Sequence, residues 1–225
     1  MDGIVNVLKP PGMSSSNAVY DLRRIFQEKR AGHLGTLDPG AAGVLPVCIG
    51  RATRLFDYLV DKEKSYIFEM TFGLSTDTQD AYGAVTGRGE ASVSREAIMA
   101  LLPSFVGEQQ QTAPLYSALK VGGRKMYDLA RAGEDVAPKT RPITIHALEL
   151  LEQPAPSRAL LHVRCSRGTY VRTLSDEIAR RLGTCAYVSM LLRTATGSFT
   201  IEQARTIAEL EALRTENRLG EALIS

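Results

Sequence analysis

The segment best suited to chemistry is a glycine-punctuated loop, residues 32–40, with a single carboxylate near its middle. Asp38 lies directly before Pro39, and a proline ring pushes the residue before it out of the helical region. Three glycines let the surrounding backbone take conformations that other residues resist. Such a loop can present one carboxylate at a fixed angle to a molecule that approaches closely. Taken alone, an Asp before a Pro is more often an ordinary turn residue.

Further motifs accompany this loop, in a fixed order along nearly the whole chain. They are Asp2-Gly3-Ile4, Lys9-Pro10-Pro11-Gly12-Met13-Ser14-Ser15, Ala42-Gly43-Val44-Leu45-Pro46, Lys64-Ser65-Tyr66, Thr76-Asp77-Thr78-Gln79-Asp80, Pro114-Leu115-Tyr116-Ser117-Ala118-Leu119-Lys120, Cys165-Ser166-Arg167-Gly168-Thr169-Tyr170-Val171-Arg172 and Leu191-Leu192-Arg193. With Gly-His-Leu-Gly-Thr-Leu-Asp-Pro, they resemble the TruB-type tRNA pseudouridine synthases. Two positions depart from the family pattern: Leu34 replaces the usual Thr, and Tyr187 stands where His is common.

The resemblance implies an RNA isomerase that converts uridine to pseudouridine in the T-loop of tRNA, at position 55. The bond from C1′ to N1 breaks, the uracil turns, and C1′ joins C5, so that no group enters or leaves overall. No cofactor and no metal are expected. Because the target base is stacked in folded RNA, the enzyme must flip it into a pocket.

Three residues are the candidates for the catalytic roles. Asp38 would be the nucleophile, and the sequence leaves open whether it attacks uracil C6 or acts at the sugar. Arg172 would keep that carboxylate ionised, since by resemblance it pairs with the catalytic Asp; otherwise it is a surface residue on the first turn of a helix. Tyr66 would stack on the flipped uracil and handle the C5 proton; its pattern alone favours an ordinary core tyrosine.

The remaining site candidates follow from the resemblance and from charge. His33, Tyr170 and Leu191 would line the substrate pocket, and Asp80 would bond a base edge. Positive charge concentrates in residues 157–193 (net +5) and 117–146 (net +3), whereas residues 57–90 carry a net −4; such clustering is typical of a polyanion-binding face. The predicted phosphate contacts are Lys9, Arg23, Arg24, Lys29, Arg30, Lys120, Arg124 and Arg131.

Apolar spacing predicts the elements that must position these residues. Strands are expected at 3–8, 44–49, 64–73, 143–151, 159–166 and 186–193, and helices at 15–29, 52–60, 94–105, 126–132, 169–182 and 207–213. Their mixed order predicts an α+β fold with a mixed, largely antiparallel central sheet. We expect one catalytic domain over residues 1–225, with a possible insertion subdomain near 75–140. The C-terminal PUA-type RNA-binding module usual in the family is expected to be absent.

The composition indicates the cellular compartment in which such a protein would work. The sequence shows no apolar run of about 20 residues and no signal peptide. Its three cysteines are far apart, which argues against a disulfide framework or a structural zinc site. We therefore expect a cytoplasmic protein that contacts no membrane, and a monomer by default. The resemblance implies that it binds tRNA through its T-arm.

Other functions remain open on sequence alone. A non-catalytic RNA-binding or RNA-folding protein could keep the fold, although binding needs no ionised carboxylate facing a polyanion. A further alternative is the guide-RNA-dependent branch of the superfamily, but that branch relies on the PUA module, which we expect to be absent here. A metal-dependent phosphohydrolase is disfavoured, because the sequence places no second carboxylate to share a metal with Asp38.

Overall fold

Strands form most of the regular structure. The computed structural model describes residues 1–60, 62–117, 119–126 and 139–224, without the side chains of residues 120, 121 and 125. The strands are β1 Gly3–Lys9, β2 Ala31–His33, β3 Ala42–Ile49, β4 Lys64–Phe72, β5 Leu74–Thr76, β6 Val85–Arg88, β7 Gly107–Thr112, β8 Lys120–Val121, β9 Arg124–Lys125, β10 Thr140–Ala155, β11 Arg158–Cys165, β12 Ala186–Thr196, β13 Phe199–Thr200 and β14 Leu223–Ile224.

Five α-helices lie within the described residues, and the local sequence explains where three of them begin or end. They are α1 Ser15–Phe26, α2 Phe56–Leu59, α3 Arg95–Leu101, α4 Val171–Arg181 and α5 Ile207–Thr215. Ser14 caps α1 by accepting from the backbone N–H of Asn17 at 3.0 Å. Gly183, at φ 77°, follows the end of α4. Helix α3 stops short of the predicted residue 105 because Pro103 continues it as a 3₁₀ turn, Leu102–Phe105.

The chain forms two compact units. The first comprises Met1–Tyr66 and Leu191–Ser225, and the second Ile67–Met190. The subdomain expected near 75–140 falls inside the second unit, and residues 118 and 127–138 within it, with most of the helix predicted at 126–132, lie outside the described part of the chain.

In the first unit, β3 is the central strand. It pairs along its length with antiparallel β1, which pairs in turn with β14. Its last residues pair with antiparallel β2, and its first residues pair in parallel with β12. The apolar face packs a cluster made up of Ile4, Leu34, Val44, Cys48, Ala52 and Phe199. This packing fixes both ends of the chain segment that carries residues 34–41.

In the second unit, β4, β11, β10 and β7 follow one another in the sheet. The pairs β10–β11 and β7–β10 are antiparallel. Alternate residues of β4 are buried, among them Phe68, Met70 and Phe72, as the sequence alternation predicts. The predicted α+β class, with mixed and largely antiparallel pairing, is confirmed.

Candidate active site

The candidate nucleophile lies on the connection between β2 and β3. Asp38 is half-buried, and its carbonyl accepts a hydrogen bond from the backbone N–H of Ala41 at 3.1 Å. Earlier in the same loop, Gly35 takes a φ of 100°, a conformation that favours glycine. The loop therefore folds into a defined turn that keeps the carboxylate partly accessible.

The residue before Asp38 is anchored by a serine hydroxyl. Ser15 Oγ accepts from the backbone N–H of Leu37 at 2.9 Å and donates to the carbonyl of Leu37 at 2.8 Å. Both side chains are buried. One hydroxyl thus satisfies both polar backbone groups of Leu37, and it joins the start of α1 to the loop.

The residue after Asp38 is anchored from the segment that follows β1. The Pro39 carbonyl accepts from the backbone N–H of Gly12 at 2.8 Å and from Lys9 Nζ at 3.4 Å. Lys9 Nζ also donates to the carbonyls of Pro10 at 2.8 Å and Met13 at 2.7 Å. Burial lowers the pKa of Lys9 to about 8; nearby Arg193 acts in the same direction, and Asp38 opposes them.

This geometry corrects one prediction from charge. Lys9 is fully buried, with its ammonium turned onto backbone carbonyls. It is not placed to contact a phosphate. The lysine ends a buried strand, and its side chain supports the loop instead of reaching solvent.

Arg193 also contacts the loop that carries Asp38, although the sequence indicates no role for it. It is 1% exposed, on β12. Its guanidinium donates to the carbonyls of Val44 at 2.7 Å, Gly35 at 3.2 Å and Thr36 at 3.3 Å. The signal in the sequence was a lone Arg within an otherwise mainly apolar strand, since a fully buried cation needs several acceptors.

Three further candidates belong to the first unit. Tyr66 is 7% exposed, on the third residue of β4. His33 is the last residue of β2, and Leu191 lies within β12; both are half-buried. Burial suits a stacking or pocket-lining role and equally suits packing, so their catalytic roles remain predictions.

The candidate cation belongs to the second unit and is not a surface residue. Arg172, on the first turn of α4, is only 4% exposed. Its Nη1 donates to the carbonyl of Thr78 at 2.8 Å, and Nη2 donates to that of Tyr116 at 3.0 Å. Two carbonyls from separate segments hold the plane of the guanidinium, and its pairing with the catalytic carboxylate remains a prediction.

The loop that contains Asp80 is organised by its own side chains. Asp80 Oδ1 accepts from Thr78 Oγ1 at 2.6 Å and from the backbone N–H of Tyr82 at 3.0 Å. The Asp80 backbone forms a parallel bridge with Val188. The carboxylate is therefore held in one orientation, and its contact with a base edge remains a prediction.

The predicted phosphate contacts differ in their surroundings. Arg23 donates to the Ala31 carbonyl at 3.0 Å, and Arg24 forms an ion pair with Glu211. Lys29 and Arg30 are exposed after α1. Arg124 is exposed in the β8–β9 hairpin, whose turn glycines have φ values of 57° and 84°. The Lys120 side chain and Arg131 lie outside the described residues.

The described part of the chain holds neither a cluster of side chains suited to a metal ion nor a membrane-spanning helix. Across the described ranges, no group of three or more His, Cys, Asp or Glu side chains is arranged to hold a metal ion. In the same part of the chain, no helix is long and apolar enough to cross a membrane.

Comparison with known proteins gives consistent relatives. The family model for the N-terminal domain of TruB family pseudouridylate synthases matches residues 23–171. Named tRNA pseudouridine synthase B, the protein from Pelotomaculum thermopropionicum is 49% identical over 100% of this chain and 72% of its own length. The protein of that name from Caldanaerobacter subterraneus is 46% identical over 96% of this chain and 76% of its own.

Solved structures agree with these sequence relatives. A chain in the crystal structure of a Cbf5–Nop10–Gar1 complex superposes with a TM-score of 0.76 at 28% identity, covering 99% of this chain. A chain of an H/ACA RNP bound to a substrate RNA containing 2′-deoxyuridine gives a TM-score of 0.72, also at 28% identity. This chain spans 59% and 56% of those two chains. It belongs to the TruB family of pseudouridylate synthases, isomerases that convert uridine to pseudouridine in tRNA.

Proposed function

We propose that the enzyme acts on uridine 55 in the T-loop of tRNA, flips that base into a pocket and uses Asp38 as its nucleophile. The observation that carries the proposal is the anchoring of the Asp38 loop. Leu37 is held on one side of the carboxylate by Ser15, and Pro39 on the other side by Gly12 and Lys9. A nucleophile held in a fixed position lowers the entropic part of the barrier to attack.

The other roles are assigned by the chemistry each side chain can supply. Arg172 serves as the cation that pairs with the catalytic carboxylate, and Tyr66 stacks on the flipped uracil. His33, Tyr170 and Leu191 line the pocket, and Asp80 bonds a base edge. The reaction as proposed needs no cofactor, and the enzyme works as a cytoplasmic monomer on the T-arm of tRNA.

The test is release of tritium from tRNA transcripts that carry tritium at uracil C5, because C5 must lose its hydrogen when it becomes the glycosidic carbon. We expect the wild type to release tritium and Asp38→Asn to release none, while both bind tRNA. A transcript in which cytidine replaces uridine 55 should release none above background. Release from that transcript would contradict the proposed target.

Asp57→Asn is the matched control, since it makes the same change at an exposed carboxylate of the first unit. It should keep the wild-type rate. Full activity in Asp38→Asn would overturn the role of Asp38. Absence of release from the wild type, with tRNA bound, would favour a protein that only binds or remodels RNA.

A further inference from the structure

The turn that leads into α4 is held by residues from elsewhere in the second unit. Tyr170 occupies the N-cap position of α4, but its own side chain makes no capping hydrogen bond. Instead, Gln111 Oε1 accepts from the Tyr170 backbone N–H at 2.7 Å, and Gln111 Nε2 donates to the Tyr170 carbonyl at 3.1 Å. A single side-chain amide therefore pairs with both polar backbone groups of Tyr170.

A second residue holds the ring of the same tyrosine. Arg141 lies directly opposite Gln111 in the register of β7 and β10. Its guanidinium lies over the Tyr170 ring, with Cζ 4.7 Å from the ring centroid, and it also donates to the carbonyl of Gly168. A cross-strand pair thus fixes Tyr170 twice, by its backbone and by its ring.

The side-chain amide of glutamine suits this arrangement, because it can donate and accept at the same time. Gln111 is only 7% exposed, and a buried amide is tolerated when its donor and acceptor are both paired. Here both partners belong to one residue, Tyr170, which lies 59 positions further along the chain. The pairing sets where the Tyr170 Cα–Cβ bond points, and Arg141 then limits how the ring turns about it.

We propose that Gln111 is a positioning residue of the active site: with Arg141, it holds the Tyr170 ring in the orientation that receives the flipped uracil. The inference rests on the proposed function, in which Tyr170 lines the uracil pocket. In this proposal Gln111 acts only through Tyr170. Its effect should appear in the chemical step, because a ring displaced by about 1 Å misplaces the uracil in the bound complex.

The first experiment compares Gln111→Met with Gln110→Met. Methionine has nearly the length of glutamine but can make neither hydrogen bond, and Gln110 is exposed on the same strand. In single-turnover tritium release at saturating tRNA, Gln111→Met should lower the rate roughly 10- to 100-fold. Its tRNA dissociation constant should stay within about twofold of the wild type. Gln110→Met should match the wild type in both.

A double-mutant cycle separates positioning from a general loss of structure. In a Tyr170→Ala background the ring is gone, so Gln111→Met should lower the rate further by no more than about twofold. Equal losses in the two backgrounds, or an unchanged rate in Gln111→Met alone, would overturn the inference. If Tyr170→Ala keeps the wild-type rate, the proposed pocket role of Tyr170 is wrong, and the inference is wrong with it.

If Gln111→Met does not fold, Arg141→Lys tests the positioning of the Tyr170 ring instead. This variant keeps the positive charge and loses the planar face over the Tyr170 ring. We expect a lower single-turnover rate with unchanged tRNA affinity. If Arg141→Lys is as heat-stable as the parent and keeps the wild-type rate, the inference is contradicted. The Asp38→Asn result, and with it the proposed function, would not be affected.

Discussion

The Ser15 hydroxyl holds the backbone next to the candidate nucleophile in place. Ser15 bonds both backbone groups of buried Leu37, so Ser15→Ala would leave a donor and an acceptor buried and unsatisfied. We expect unfolding free energy to fall by about 1–3 kcal/mol and the tritium-release rate to fall as well. Urea denaturation measures the first. Ser16→Ala, at the exposed neighbour, should change neither; equal stability of the two variants would contradict the assigned role of Ser15.

Lys9 makes stability depend on pH in a defined window. Its pKa is about 8 in the folded state against an ordinary 10.5, so the unfolded state binds more protons between these values. The contribution of Lys9 to the free energy of unfolding therefore rises as the pH increases from about 8 to about 10.5. The wild type should gain stability relative to Lys9→Met across that window, measured by urea denaturation at its two ends. A constant difference between the two proteins would contradict the lowered pKa.

At the scale of elements, one close approach joins β3 to β12. Gly43 has a φ of 116°, and a Cβ placed on it would lie 2.1 Å from the Arg193 carbonyl oxygen. Gly43→Ala must therefore push the strands apart and loosen the contacts of Arg193 with the Asp38 loop. We expect a loss of about 3 kcal/mol or more in unfolding free energy, together with lower activity.

Gly32→Ala is the matched control for this prediction. Gly32 belongs to the same motif region, but nothing lies within 4 Å of a Cβ placed there. We expect a change within about 0.5 kcal/mol. Denaturation midpoints of the two variants compare them directly, and a tolerated Gly43→Ala would mean that the strands can separate at little cost.

Elements with strong local signals could be predicted from the sequence, and those set by distant partners could not. Apolar alternation predicted β4, and apolar residues at helical spacing predicted α1. Strand β10 extends through Pro154 to Ala155, beyond the predicted end at residue 151, because its register shifts accommodate irregular pairing with β11. Short strands such as β2 have too few residues to show a period.

The same division applies to the candidate site. Asp38 could be proposed as the nucleophile because the motif that carries it is local and resembles that of the family, whereas an Asp before a Pro is by itself more often a turn residue. The burial of Lys9, the loop contacts of Arg193 and the Gln111 pairing all join segments far apart in sequence. No periodicity or motif encodes which distant carbonyl a buried cation will find, so these supporting residues emerge only from the folded structure.

For the whole molecule, charge distribution matters more than net charge. The chain carries only +2 overall, yet residues 157–193 alone carry a net +5. Since tRNA is a polyanion, its binding should weaken steeply with salt, and each phosphate contact should add about 0.7–0.9 to the slope of log affinity against log salt. We therefore expect the exposed cations to contribute to tRNA binding separately from the chemistry proposed for Asp38.

The pair Lys29 and Arg30 offers a direct test, because both are exposed beyond the end of α1. Removing both charges, in Lys29→Ala with Arg30→Ala, should reduce the salt slope by about 1.4–1.8 and weaken tRNA binding. The single-turnover rate at saturating tRNA should not change, since phosphate contacts position the RNA. The control removes two exposed arginines elsewhere, in Arg88→Ala with Arg95→Ala. If both double variants shift the slope equally, the effect comes from net charge, and the assignment of Lys29 and Arg30 as phosphate contacts is wrong.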